Sequence, residues 1–188
     1  MPKLATIWLA ICLGLAGTAL AADPSVTIQR AKYSYDNGEY TQAIIELREA
    51  LEGTWNKAPL TFNNATWIME PPEGFGMYKP RESNVFDAVE PVLIYLEPVG
   101  YTIKKAGPFY SFRLFADFAV LDDKNKVLGS QQNFAQYQVR SRSLQTEYPI
   151  FFTFNFRDLP AGRYKLQITV HDENSEKEAT LSKVFEKR

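Results

Sequence analysis

One histidine and one cysteine are all that this 188-residue chain offers among the side chains that most often serve as nucleophile, proton shuttle or soft metal ligand. His171 sits beside Asp172. A catalytic imidazole needs a nucleophile and an orienting acid converging on it, yet neighbours in an extended segment point to opposite faces. His171 is therefore expected to be an exposed or turn-capping residue. Zinc bound by nitrogen or sulfur draws on several His or Cys residues, which the chain lacks. Carboxylates are the remaining reactive class, since glycoside hydrolysis needs only two. Glu90 and Glu97 flank one apolar run and Asp117 lies within another, but no spacing selects two acids for a cleft. Pairing of Glu97 with Arg113 or Asp117 across a sheet is expected to be structural. Asp122-Asp123-Lys124-Asn125-Lys126 lacks the alternating ligands and distal Glu of a calcium loop and reads as a hairpin turn. The sequence thus predicts no catalytic residue, no metal and no cofactor, and a protein that is not an enzyme.

Rings are the stronger lead, because 14% of the residues are aromatic. Pro71 through Pro80 form a Pro/Gly-rich loop carrying Phe75 and Tyr78, with Tyr95, Tyr101, Phe109, Tyr110 and Phe115 expected close by. Such rings stack on sugars or anchor a protein partner, and they fill cores equally well. Tyr137, Arg140 and Arg142 suggest nucleic acid, but 21 basic against 22 acidic residues leave no broad polyanion-binding surface.

The elements that must position these residues begin with an export leader. Met1-Pro2-Lys3 is a basic head, Leu4 to Leu20 an apolar run, and Ala19 and Ala21 the small residues that a signal peptidase reads, placing cleavage after Ala21. The rival is an uncleaved anchor, since the run approaches the ~20 residues of a spanning helix; Gly14, Gly17 and the small-residue exit favour cleavage. A lipoprotein at Cys12 is disfavoured by Ile11 before it. Cleavage removes Lys3, Cys12 and no acid, which takes 21 basic residues to 20 against 22 acidic ones. The compartment is then periplasmic or extracellular, and stability comes from an apolar core without disulfides.

Residues 22–58 are expected to form a helical hairpin. Asp23-Pro24 reads as a cap with proline at the first helical position. Ile28, Ala31 and Tyr35 recur at helical spacing, and Asp36-Asn37-Gly38 is turn chemistry. Tyr40, Ala43, Ile44, Leu47 and Leu51 form the apolar stripe of a second helix, with Thr41 as its cap, Gly53 as its stop, and Gln42, Glu46, Arg48, Glu49 and Glu52 on its wet side. Tyr35, Gly38, Tyr40, Ala43, Leu47 and Ala50 stand where a tetratricopeptide repeat carries its signature, so the segment resembles one such repeat. The resemblance implies hairpin geometry. A lone repeat cannot bury its own apolar face, so the hairpin must lean on the rest of the chain, a second copy or a partner. Ile45 points away from the stripe and Trp55 follows at the helix exit. Both are candidates for packing on the next domain or for a docking surface.

Residues 59–188 read as an antiparallel β-sandwich. Expected strands are 60–69, 85–96, 101–105, 109–121, 127–138, 147–156, 163–171 and 179–186, several of them alternating dry and wet, with no helical period among them. Leu159-Pro160-Ala161-Gly162-Arg163-Tyr164 followed by Val170-His171-Asp172 is similar to the penultimate-strand segment of secreted immunoglobulin-like sandwiches, which implies fold and not activity. Tyr78-Lys79-Pro80-Arg81, Asn84-Val85-Phe86 and Pro91 through Tyr101 resemble exported bacterial sandwich proteins.

The sequence therefore predicts a mainly β protein, an immunoglobulin-like β-sandwich with an N-terminal α-helical hairpin, exported and acting by binding or assembly. The expected partner is an envelope protein. A glycan gripped by the 71–80 loop is the alternative and a hydrolase the third reading. A second copy of the chain is a further partner considered, while nucleic acid and, after leader cleavage, a membrane span are not expected. The candidate binding residues are Ile45, Trp55, Phe75, Tyr78, Tyr101 and Tyr110.

Overall fold

The computed structural model describes residues 23–188. The leader and Cys12 lie outside the described residues. The Asp23 carboxylate accepts a hydrogen bond from the Ser25 N–H at 3.0 Å and so starts α1 (Pro24–Asp36), with Pro24 in the first turn as its fixed φ favours. The chain turns through Asn37-Gly38 into α2 (Tyr40–Trp55). Two details differ from expectation. Glu39, not Thr41, occupies the cap position of α2, and its side chain makes no capping bond. Gly53 does not stop the helix, which continues to Trp55. A Cβ at Gly53 would lie 2.7 Å from Cγ of Pro24, so the glycine lets the end of α2 approach the start of α1.

Nine strands follow: β1 (Thr61–Trp67), β2 (Val85–Phe86), β3 (Val92–Val99), β4 (Lys104–Ala106), β5 (Phe109–Leu121), β6 (Val127–Ser141), β7 (Ile150–Phe154), β8 (Gly162–Asp172) and β9 (Glu178–Lys187). The expected run 85–96 is two strands, because a turn closed by the Glu90 N–H on the Asp87 carbonyl interrupts it before Pro91. A three-stranded sheet has the order β1-β3-β7; the larger sheet runs β2-β9-β8-β5-β4, with β6 on the other side of β5. Every pairing is antiparallel except β2 on β9.

Alternation places one face of each sheet inward. Tyr164, Leu166, Ile168 and Val170 of β8 face Ile94, Leu96, Ile150, Phe152 and Phe154 of the smaller sheet in one core. Aromatic contacts stitch the layers together: Trp67 meets Phe185 at 6.3 Å and Phe118 meets Phe154 at 5.0 Å. The Tyr164 hydroxyl donates to the Pro160 carbonyl at 2.8 Å, four residues upstream, the contact of a tyrosine corner. Between β5 and β6, Asp122 accepts from the Lys124 and Lys126 N–H groups at 2.9 and 2.8 Å. Its carboxylate therefore builds the turn.

Candidate functional site

The two helices touch through small side chains. Thr27, Ala31 and Ser34 of α1 and Ala43 and Ala50 of α2 are buried, and so is Glu46, expected on the wet side. Glu46 is accommodated because the Ser34 hydroxyl donates to its Oε2 at 2.8 Å and the Gln42 amide to its Oε1 at 3.2 Å. This narrow seam takes only Ala43 of the α2 stripe and leaves the large residues of that stripe outside. Ile28 and Tyr35 of α1 and Tyr40, Ile44, Leu47 and Leu51 of α2 are between 43% and 63% exposed. The physical reason is the contact itself: alanines at the seam bring the backbones close, and the large residues one helical step round are left with no third layer to cover them.

Those six side chains share one side of the hairpin. Positions 40, 44, 47 and 51 fall within roughly 60° of arc at 100° per residue, and the Tyr35 and Tyr40 rings meet at 5.5 Å across the turn. The opposite side is crossed by the Arg30–Glu49 ion pair at 3.0 Å and carries three exposed apolar side chains of its own, Val26, Tyr33 and Ile45. Ile45 is exposed and not packed on the sandwich, but it lies one turn before Glu49 on that side and does not extend the six-residue set. The sequence signal for this outcome was present: small residues at 27, 31, 34, 43 and 50 mark a close seam distinct from the stripe of large ones.

Trp55 and Tyr101, two candidate binding residues, are instead core. Trp55 is buried at the end of α2 with its ring 5.2 Å from that of fully buried Tyr101, whose hydroxyl donates to the Gln145 carbonyl at 2.6 Å. Around this joint the Asn56 side chain exchanges hydrogen bonds with the Ile103 backbone, at 2.9 Å to its carbonyl and 2.8 Å from its N–H. The Lys177 ammonium donates to the Asn56 and Gly100 carbonyls, each at 2.8 Å. Tyr110, half-buried, donates to Glu52 at 3.1 Å. Glu52 also faces Lys105 at 3.5 Å, and the contacts with Tyr110 and Glu52 hold the Lys105 pKa above its ordinary value. Tyr110 is thus a strut between helix and sheet, not a free anchor.

The 71–80 loop folds onto the outer face of the smaller sheet. Tyr78 packs on Tyr95 with ring centroids 4.3 Å apart, beside Ile68 and Leu93, and its hydroxyl accepts from Asn64 at 2.7 Å. The Gly76 N–H donates to the Tyr95 hydroxyl at 2.8 Å, which in turn donates to Glu97 at 2.9 Å; Asn63 donates to the other carboxylate oxygen at 3.2 Å. Phe75 and Tyr78 are both half-buried. Glu97 is consumed by this network and pairs with neither Arg113 nor Asp117.

Burial pushes the Tyr95 hydroxyl up to about 12, with the adjacent Glu97 carboxylate adding to the rise and the Gly76 N–H opposing it. The folded state therefore keeps this proton where an unfolded chain has lost it. The associated stability is intact below pH ~10 and is lost as pH rises from there through about 12. The expected result is alkaline destabilisation in that window, to which Tyr137, likewise pushed up to about 12 by burial, and the raised Tyr101 and Tyr148 also contribute; Tyr95→Phe is expected to make it shallower by its own share, read by denaturant titration at each pH. An unchanged pH profile in the variant would contradict the assignment.

His171 is more engaged than expected. Its Nε2 lies 2.9 Å from Asp117 Oδ2, its Nδ1 3.2 Å from Glu178 Oε2, and its ring stacks on Phe115 at 4.6 Å. The exposed or turn-capping expectation is corrected: His171 links β5, β8 and β9 through two carboxylates that register brings to one face. With both ring nitrogens turned to carboxylates, neither is presented to a hydroxyl nucleophile. Asp172 points the other way, as expected of an adjacent strand residue. It is buried and accepts from the Thr102 N–H at 2.7 Å and the Ser175 hydroxyl at 2.6 Å. Arg113 pairs with Glu173 at 3.0 Å. Arg140 and Arg142 lie against the Phe109 ring, 3.6 and 4.8 Å from its centroid. Among the described residues no three of His, Cys, Asp and Glu converge as a metal ion would need, and no helix is long and apolar enough to cross a membrane.

No protein-family model matches the chain, and no curated protein does. Among solved structures, one similarity is to the alkylpurine DNA glycosylase AlkC of Pseudomonas fluorescens bound to DNA containing an abasic site analog. The identity is 15%, the match covers 88% of this chain and 43% of that one, and the TM-score is 0.30. The chain thus spans less than half the length of that protein, and a likeness at this level carries no functional argument.

Proposed function

We propose that this protein is an exported, non-enzymatic docking module that binds an envelope protein through the apolar side of its helical hairpin. One observation carries the reading: six large apolar residues, Ile28, Tyr35, Tyr40, Ile44, Leu47 and Leu51, stand exposed together on two packed helices. Scattered exposed apolar residues are ordinary, whereas a contiguous set rimmed by polar ones marks an interaction site. Export rests on the leader Met1–Ala21. The non-enzymatic part is supported by an imidazole occupied on both nitrogens and by acids spent in structural networks. The sandwich serves as the rigid base on which the hairpin stands.

Burying one Ile or Leu is worth roughly 1.5–3 kcal/mol. Ile44→Glu with Leu47→Glu is therefore expected to weaken partner capture by at least ~100-fold, since every 1.4 kcal/mol is tenfold. Both positions are exposed, so the variant keeps its fold, as circular dichroism will verify. Photo-cross-linking from position 47 in intact cells is expected to trap one specific envelope protein, and cross-linking from position 45 to trap none. Equal labelling from both positions would defeat the assignment.

A further inference from the structure

The apolar side of the hairpin has a shape that narrows what can cover it. It is a shallow two-helix surface, about as wide as it is long, with Ile28 and Tyr35 on one ridge and Tyr40, Ile44, Leu47 and Leu51 on the other. A single strand or helix laid on it covers the seam and leaves part of both ridges wet. A second pair of antiparallel helices covers it fully, and the product is a four-helix bundle, the smallest common arrangement that closes such a layer. We propose that the second pair is the hairpin of another copy of this chain. This inference rests on the docking reading above and names its occupant.

Three properties favour self-association. The first is area. At the observed exposures the six side chains present about 700 Å² per copy, close to the ~800 Å² that each partner of a standard interface buries. The second is self-complementarity, since a surface of alternating ridges and grooves packs on its own kind, and a two-fold contact closes without exposing a new sticky face. The third is charge. The apolar side carries no charged residue between its edges, so it selects no partner by sign. Lys32, at the α1 edge, is already paired with Asp36 at 2.6 Å. Arg48, at the α2 edge, has no carboxylate within ion-pair distance among the described residues.

The test is sedimentation velocity on protein recovered from the export compartment of an expressing bacterium, from ~1 to ~100 µM, a range that brackets micromolar association. A concentration-dependent dimer is expected, at least 100-fold weaker in Ile44→Glu/Leu47→Glu and unchanged in Ile45→Glu on the opposite side. A wild-type monomer throughout, a dimer that survives Ile44→Glu/Leu47→Glu, or one that Ile45→Glu disrupts equally would overturn the proposal. The docking reading fails separately. A wild-type monomer whose position-47 cross-link still traps a distinct envelope protein keeps that reading and replaces the occupant; a monomer that traps nothing removes both.

Discussion

Tyr101→Ala will cost about 4 kcal/mol of folding stability, in the range measured for truncating large buried aromatic residues. Tyr101 is fully buried at the point where helix and sandwich meet, 5.2 Å from the Trp55 ring and 4.5 Å from that of Phe112. Three losses combine in the variant. Ring contacts disappear on both sides, a cavity opens between two elements that cannot collapse onto each other, and the Gln145 carbonyl loses the hydroxyl that reaches it at 2.6 Å. Tyr101→Phe removes only the last of these and is expected to cost about 1 kcal/mol. Denaturant unfolding separates the two variants. Trp55 emission should shift to the red in Tyr101→Ala, because its indole loses its cover. A loss under ~1 kcal/mol in Tyr101→Ala would mean that hairpin and sandwich are independent, contrary to the joint described above.

Gly100→Ala is expected to be nearly as damaging, at about 3–4 kcal/mol, by a different route. Gly100 has φ +82°, where an L-residue with a Cβ is strained by roughly 1–2 kcal/mol. The added methyl would also collide with the Pro59 carbonyl oxygen and lie 3.2 Å from the Ala58 Cβ. Relief requires Gly100 or the 58–59 segment to move. Either shift disturbs the Lys177 ammonium, which grips the Gly100 and Asn56 carbonyls at 2.8 Å each. The control is Gly129→Ala, where nothing lies within 4 Å of the added methyl and φ is not positive; it should change stability by under ~0.5 kcal/mol. Thermal or denaturant midpoints of the two variants decide the matter. Equal midpoints would show that the Pro59–Gly100 approach is not tight in solution.

The alternating strands were legible because period-two burial is a local property. Tyr164, Leu166, Ile168 and Val170 point inward as their spacing requires, and the expected 109–121 strand is β5 to the residue. The hairpin was legible for the same kind of reason, since Asp23-Pro24 and Asn37-Gly38 act within one turn of chain. Its burial was not. Amphipathic spacing says that Tyr40, Ile44, Leu47 and Leu51 share a side; only the packing partner decides whether that side is dry. Ala31, Ala43 and Ala50 win the seam because small residues let two backbones approach. Trp55, Tyr78, Tyr101 and Tyr110 stand out in the sequence as candidate binding rings, but their availability depends on segments distant in sequence: Tyr95 beneath Tyr78, Phe112 and Gln145 around Tyr101, and Glu52 at the tip of Tyr110.

His171 shows the same division at one residue. That Asp172 cannot serve it follows from strand geometry alone. That Asp117 and Glu178 do serve it depends on how β5, β8 and β9 are set against one another, which pairs His171 directly with Glu178 and with Phe115 and brings Asp117 within reach. By itself the amino-acid order determined the elements, their inward and outward faces, and the scarcity of reactive groups, because each follows from chemistry within a few residues. The tertiary structure alone decided which rings are spent in the core and which apolar side remains open, because burial is a relation between segments that no single segment encodes.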